Sequence, residues 1–210
     1  MNHNVVVLDA SIFETPPYIS SVLNAFDKSK KTILLIESCT HMHDQLLQIT
    51  KQYVDQDQAQ ALLSFQTFIE STLTTCRALF PDDNSIFNDI NDLFVEIEWI
   101  LEDEIMDGYT YYYDQITSIG TLIQSKIVTE ILQMNNIIAQ WVDTRDLIIT
   151  DENYQNPNIL IELSKTNLEQ LSLDHHILVL PNKIGASLNI TTTTFQSDSV
   201  YQFFLEVFEK

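Results

Sequence analysis

Several groups of residues have types and spacings that bear on chemistry. His41 and His43 flank Met42, and His175 and His176 are adjacent. Paired imidazoles serve as metal ligands when a third and fourth ligand stand nearby, and on a strand His41 and His43 would share a face. No Cys-x-x-Cys or His-Glu-x-x-His accompanies either pair, so both read as ordinary surface histidines and no metal is expected. Tyr109, Tyr111, Tyr112 and Tyr113 could stack on bases or pack at a helix start. Thr191 to Thr194 offers four hydroxyls, which a polar edge strand explains without a ligand. Arg145 lies close to Asp143 and Asp146. An arginine between two acids either pins a turn to a helix through a charge-assisted pair or contributes to a ligand site. There is no Gly-x-Ser-x-Gly elbow and no Gly-x-x-x-x-Gly-Lys loop. The chain has 3 glycines, Gly108, Gly120 and Gly185, where average usage gives about 15. A backbone phosphate cradle built from clustered glycines is therefore not expected.

The elements that must position these residues follow from the apolar pattern. Val5 to Leu8 is a β-branched apolar run ending at Asp9 and reads as a buried strand. Pro16-Pro17 opens a helix through Ile19, Val22, Leu23 and Phe26, closed by the positive charge of Lys28 to Lys31. Ile33 to Ile36 is a second buried strand, which makes the opening a βαβ unit. From His43 to about Glu104 apolar residues recur at spacings of three and four, interrupted at Pro81-Asp82-Asp83, with Asn84 or Ser85 capping the next helix. A further helix runs from about Tyr112 to Met134 on the stripe Ile116, Ile119, Ile123, Ile127 and Ile131. Strands are expected at Ile137 to Val142, Ile177 to Leu180 and Thr191 to Thr194. A polar turn is expected at Asp143 to Asp146, and helices at Asn167 to Leu171 and Val200 to Phe208. No repeat or flexible linker divides the 210 residues, so a single α/β domain is expected, with a helical insertion at about 43–110.

Composition narrows the function. Ten Lys+Arg against 30 Asp+Glu give a net charge of −20, which disfavours nucleic acid and anionic lipid as partners. Two cysteines, Cys39 and Cys76, form no disulfide framework and fit a reducing, cytoplasmic setting. No signal peptide is expected at the start, and no apolar run approaches the ~20 residues that span a bilayer.

One stretch is more specific. Tyr113-Asp114-Gln115-Ile116-Thr117-Ser118-Ile119-Gly120-Thr121-Leu122-Ile123-Gln124-Ser125 precedes Trp141-Val142-Asp143-Thr144-Arg145-Asp146-Leu147-Ile148-Ile149-Thr150-Asp151. This resembles the aspartokinases of the amino acid kinase family. There a helix reading roughly Asp-x-x-x-Ser-x-Gly-Glu-x-x-Ser precedes Trp-x-Asp-Ala-Arg-Asp-x-Ile-x-Thr-Asp. Ser118, Gly120, Ser125, Asp143, Arg145 and Asp146 carry the match. Lys183-Ile184-Gly185-Ala186-Ser187 with the following threonines is similar to the family's Gln-Gly-Phe-Ile-Gly-Ser segment. Val5 to Ile12 is similar to its first strand and loop, Lys-Phe-Gly-Gly-x-Ser. The resemblance implies an α/β three-layer sandwich with a mainly parallel sheet and a helix-rich middle, without the family's nucleotide-binding lobe.

The departures fall on the chemistry. The family's phosphate-neutralising Lys falls at Val6 and its two glycines at Leu8 and Asp9, leaving Ser11 in place. Its second-loop Ser-Ala-x-Gly reads Glu37-Ser38-Cys39-Thr40, and its substrate-binding Glu is Thr121. Its Arg after the threonines is missing from Phe195-Gln196-Ser197-Asp198. Phosphoryl transfer is mostly positioning and charge stabilisation, so the resemblance implies a catalytically inactive scaffold or regulatory partner with no cofactor. Family subunits pair through helices of this lobe, which implies a homodimer or a heterodimer with an aspartokinase-like protein. Two alternatives stand beside it. One is an aspartate kinase, or a fragment of one, phosphorylating L-aspartate with magnesium-ATP at the entry to lysine, threonine and methionine synthesis. The other is an amino-acid sensor using Ser11, Arg145, Gly185 and Ser187.

Overall fold

Strands β1 (Asn4–Leu8) and β2 (Thr32–Ile36) run parallel, with Val5 beside Ile33 and Leu8 beside Ile36. Helix α1 (Tyr18–Asn24) lies on the connection between them, giving the expected βαβ unit. The computed structural model describes residues 3–9, 18–171 and 176–208. Pro16-Pro17, Ser11 and His175 lie outside them. The α1 helix stops short of Phe26. Asp27 Oδ1 accepts from the Ser29 amide and hydroxyl, so Lys28 to Lys31 form a turn into β2 rather than a helix end.

The second neighbour of β2 is β5 (Ile177–Pro181), which pairs in turn with β3 (Ala139–Trp141). The order β1-β2-β5-β3 is parallel throughout. Every residue of β2 and β5 is buried, as expected for a parallel sheet covered on both faces. Alternate side chains enter two cores. Leu34, Ile36, Ile177 and Val179 join the cluster beneath the helical middle of the chain. Ile33, Leu35, Leu178 and Leu180 join the opposite cluster with Phe203 and Phe204 of helix α7 (Ser199–Phe208).

The helical middle comprises α2 (Thr40–Val54), α3 (Gln58–Leu79), α4 (Ile86–Glu102) and α5 (Tyr109–Met134). α2 packs on α3 and α5, and α4 packs on α5 and α3, closing a four-helix bundle whose α5 rests on the sheet. Asn84 supplies the cap of α4: its Oδ1 accepts from the Ile86 amide at 2.8 Å, while Ser85 makes no such bond. His41 and His43 lie on α2 and not on a strand. Two residues apart on a helix they point in different directions, so the shared face expected for them does not form.

A smaller sheet holds β4 (Ile149–Thr150), β6 (Ile184–Ser187) and β7 (Thr192–Thr194), with β4 and β6 parallel and β6 and β7 antiparallel. Strand β6 is a finding beyond the sequence pattern, because Gly185 and Ala186 carry no strand signal. Helix α6 (Ile161–Gln170) begins well before the expected Asn167. Its inward stripe is Ser164 and Leu168, and a serine there interrupts the apolar period. The Ser164 hydroxyl donates to the Ile149 carbonyl and accepts from the Ile149 amide, which is why it sits inward. Strand β7 is an edge, but all three threonines are buried. Among the described residues no helix is long and apolar enough to cross a membrane.

Candidate functional site

The carboxyl ends of β2 and β5 open into a cleft of about 310 Å³. Ligands of open parallel sheets bind in such crevices. The strand ends are tied together first. The Ile36 carbonyl accepts from the Asn182 amide at 2.7 Å and from the Thr121 hydroxyl at 2.7 Å. β2 then delivers Glu37 and Ser38 to the cleft, and β5 delivers Asn182 and Lys183. Helix α5 contributes Tyr113, Thr117, Ser118 and Thr121. α5 comes close here because Gly120 has no side chain. A Cβ at that position would stand 3.0 Å from Leu46 Cδ1 and 3.2 Å from Ser38 Cβ.

Charge in the cleft is organised by Lys183, a residue in the left-handed region at φ 57°. Its ammonium sits 2.9 Å from Glu37 Oε1 and 3.4 Å from Asp198 Oδ1. Burial alone would lower its pKa, but Glu37 and Asp198 hold it above the ordinary value. Asn182 is almost wholly buried and donates Nδ2–H to Glu37 at 3.2 Å. Its Oδ1 has no partner among the described residues. One cation, one carboxylate and neutral donors thus face a space of amino-acid size.

The sequence-derived positions divide between the cleft and other places. Ser118 and Thr121 line it, although the Ser118 hydroxyl donates to the Gln115 carbonyl and that of Thr121 to Ile36. Ser125 lies two turns further along α5, where Trp141 Nε1 donates to its hydroxyl at 2.8 Å. Val6 is half-buried in β1. Leu8 is 1% exposed in the core beneath the helical bundle, and Asp9 is exposed just beyond it.

Arg145 stands in the 3-10 turn Thr144–Asp146. Its guanidinium reaches Asp143 Oδ2 at 2.9 Å and Glu96 Oε2 of α4 at 3.0 Å. Burial opposes its charge, but Asp143 and then Glu96 raise its pKa. Asp146 is exposed and its carboxyl is raised, first by burial and then by the nearby Asp143. Gly185 presses against the Ile148 carbonyl, and the Ser187 hydroxyl lies 2.7 Å from that of Thr191. Arg145, Gly185 and Ser187 are therefore not among the residues that line the cleft.

Sequence reasoning missed Asp114 and Gln115, which hold the threonine strand in place. Asp114 accepts from the Thr194 amide and hydroxyl and from the Gln155 amide. Gln115 accepts from the Thr192 amide at 3.0 Å and donates to the Thr192 carbonyl at 2.7 Å, acting as a neighbouring strand would. The signal available was two polar residues side by side in a helix otherwise buried nearly all round. Among the described residues no group of three His, Cys, Asp and Glu could hold a metal ion. His43 packs edge-on against Tyr113, and His176 contacts the Lys28 carbonyl.

No protein-family model matches the sequence, and no curated protein matches it. Solved structures do. Escherichia coli aspartokinase III in complex with lysine and aspartate, in its T-state, is similar with a TM-score of 0.81 at 15% identity, over 99% of this chain and 47% of that one. The same enzyme in complex with aspartate and ADP, in its R-state, gives 0.70 at 18% identity over 91% of this chain and 43% of that one. Clostridium acetobutylicum aspartate kinase gives 0.69 at 15% identity over 94% and 42%. The chain therefore has the α/β fold of aspartokinases, and it spans less than half the length of each of these enzymes.

Proposed function

We propose that this chain is a non-catalytic, cytoplasmic, aspartokinase-like protein that works by association, with a second copy or with an aspartokinase-like partner. The observation that carries the reading is the end of β1. Leu8 is a buried core residue and Asp9 a carboxylate, at the two positions that the resemblance matches to the enzymes' glycines. Leu8 lacks the backbone freedom with which a glycine wraps a phosphate, and the Asp9 carboxylate repels one. Val6 supplies no compensating cation, and Thr121 spends its hydroxyl on the Ile36 carbonyl. A coupled assay for ADP release with magnesium-ATP and L-aspartate should give no turnover above a protein-free blank. Sedimentation at micromolar concentration should show a dimer. Turnover by the chain alone would overturn the inactive reading, and turnover only after a partner is added would assign it a subunit's part in an enzyme. A monomer at all concentrations would remove self-association.

The charges of the cleft favour a second reading, an amino-acid sensor. Lys183 suits a carboxylate and Glu37 suits an ammonium group, with Ser38 and Asn182 beside them. E. coli aspartokinase III is known in complex with aspartate, which makes L-aspartate the first ligand to test. Calorimetry with L-aspartate at millimolar concentration should give heat that is lost in Lys183→Met. Absence of heat ends this reading.

A further inference from the structure

A second cavity, of about 570 Å³, lies between α1, α2, α3 and α5. That volume is in the usual range for small-molecule sites. Its apolar wall includes Met42, Leu79, Ile127 and Ile131. Two buried polar side chains also line it, Thr72 at 3% exposure and Gln124 at 5%. Neither the Thr72 hydroxyl nor the Gln124 carboxamide has a hydrogen-bond partner among the described residues.

Their neighbours are satisfied. The Thr75 hydroxyl donates to the Ser71 carbonyl, and those of Ser125 and Thr129 to Leu122 and Ser125. A helical threonine usually bonds the carbonyl four residues back. For Thr72 that carbonyl is Phe68, which accepts from the Ser71 hydroxyl instead. These two polar groups border the same space and offer a ligand both donors and acceptors.

The lining also excludes ligand classes. Among the described residues no lysine or arginine borders the cavity; Asp44 and His41, both exposed, line it together with the ionisable Tyr18 and Cys39. Among the described residues, phosphates and carboxylates have no lysine or arginine there to neutralise them. A carboxamide complements another carboxamide, donor to acceptor in both directions, and a hydroxyl can add a third bond.

We propose that this cavity binds a small uncharged molecule carrying a carboxamide or lactam edge on an apolar ring, held by Gln124 and Thr72. The inference does not rest on the proposed function: Thr40 borders both spaces, but Gln124 and Thr72 line the cavity and not the cleft. The probe is benzamide, titrated into the 210-residue chain by ligand-observed NMR, with benzoate as the anionic control. Benzamide should bind with the millimolar dissociation constant of a fragment, and benzoate about tenfold more weakly. Gln124→Leu and Thr72→Val remove the polar atoms at nearly constant volume. The former should weaken benzamide about tenfold. If Gln124→Leu does not fold, Thr72→Val alone decides, with a severalfold loss expected. No benzamide binding up to about 20 mM, or equal affinity in the parent and the variants, overturns the proposal.

Discussion

Asp114 is fully buried in α5 and accepts three hydrogen bonds, yet its pKa is pushed up to about 6. Burial is the larger effect, and the donors from Thr194 and Gln155 offset only part of it. The unfolded chain has an ordinary aspartate near 3.8. Between about pH 4 and 6 the folded state therefore binds more protons than the unfolded one, so this group's contribution to stability falls as pH rises through that window and is flat above it. The change amounts to roughly 3 kcal/mol at most. Asp114→Asn should remove that slope from a plot of melting temperature against pH, and an identical slope in the variant would refute the assignment. The sequence placed Asp114 in a helix motif but could not show what it holds, because Thr194 is 80 positions away. The same distance hid the fate of the threonines, which polarity assigned to a solvated edge and which Asp114 and Gln115 in fact cover. Arg145 shows the other limit. Its pairing with Asp143 was legible from spacing, whereas Glu96 lies 49 positions away on α4.

At the level of elements, periodicity served where an apolar stripe was continuous. The βαβ opening, the long helices and β5 follow from it. It failed where a polar or small residue has a structural task inside the stripe, as Ser164 does in α6 and Gly185 in β6. Gly185 gives this a measurable form. A Cβ there would stand 2.7 Å from the Ile148 carbonyl oxygen and 3.0 Å from Thr150 Cγ2, so β4 and β6 would have to separate. Gly185→Ala should cost about 1–3 kcal/mol in denaturant unfolding. Gly108→Ala, where nothing lies within 4 Å, should cost less than about 1 kcal/mol. Equal effects at the two sites would mean that the small sheet tolerates displacement.

Over the whole molecule charge is the dominant bias, with 30 acids set against 10 basic residues. The pairs Lys30–Asp27, Lys126–Asp89 and Lys183–Glu37 neutralise few of the acids. Net charge of this size works against the compact state and is screened by salt. The melting temperature at pH 7 should therefore rise by several degrees between about 10 and 300 mM sodium chloride. A flat or falling response would show that local ion pairs outweigh the general repulsion. The same repulsion acts between two copies, so any self-association should also strengthen with salt.

The alternation along β2 has a consequence for how such a fold changes over time. Leu34 and Ile36 belong to one core and Ile33 and Leu35 to the other, so the strand is a party wall that neither side can alter alone. Glu37 and Lys183 stand past the ends of that wall and belong to neither core. Architecture and chemistry are thus separately editable. A lineage can redraft the rim of the cleft while the masonry behind it stands, and 15% identity can accompany a TM-score of 0.81.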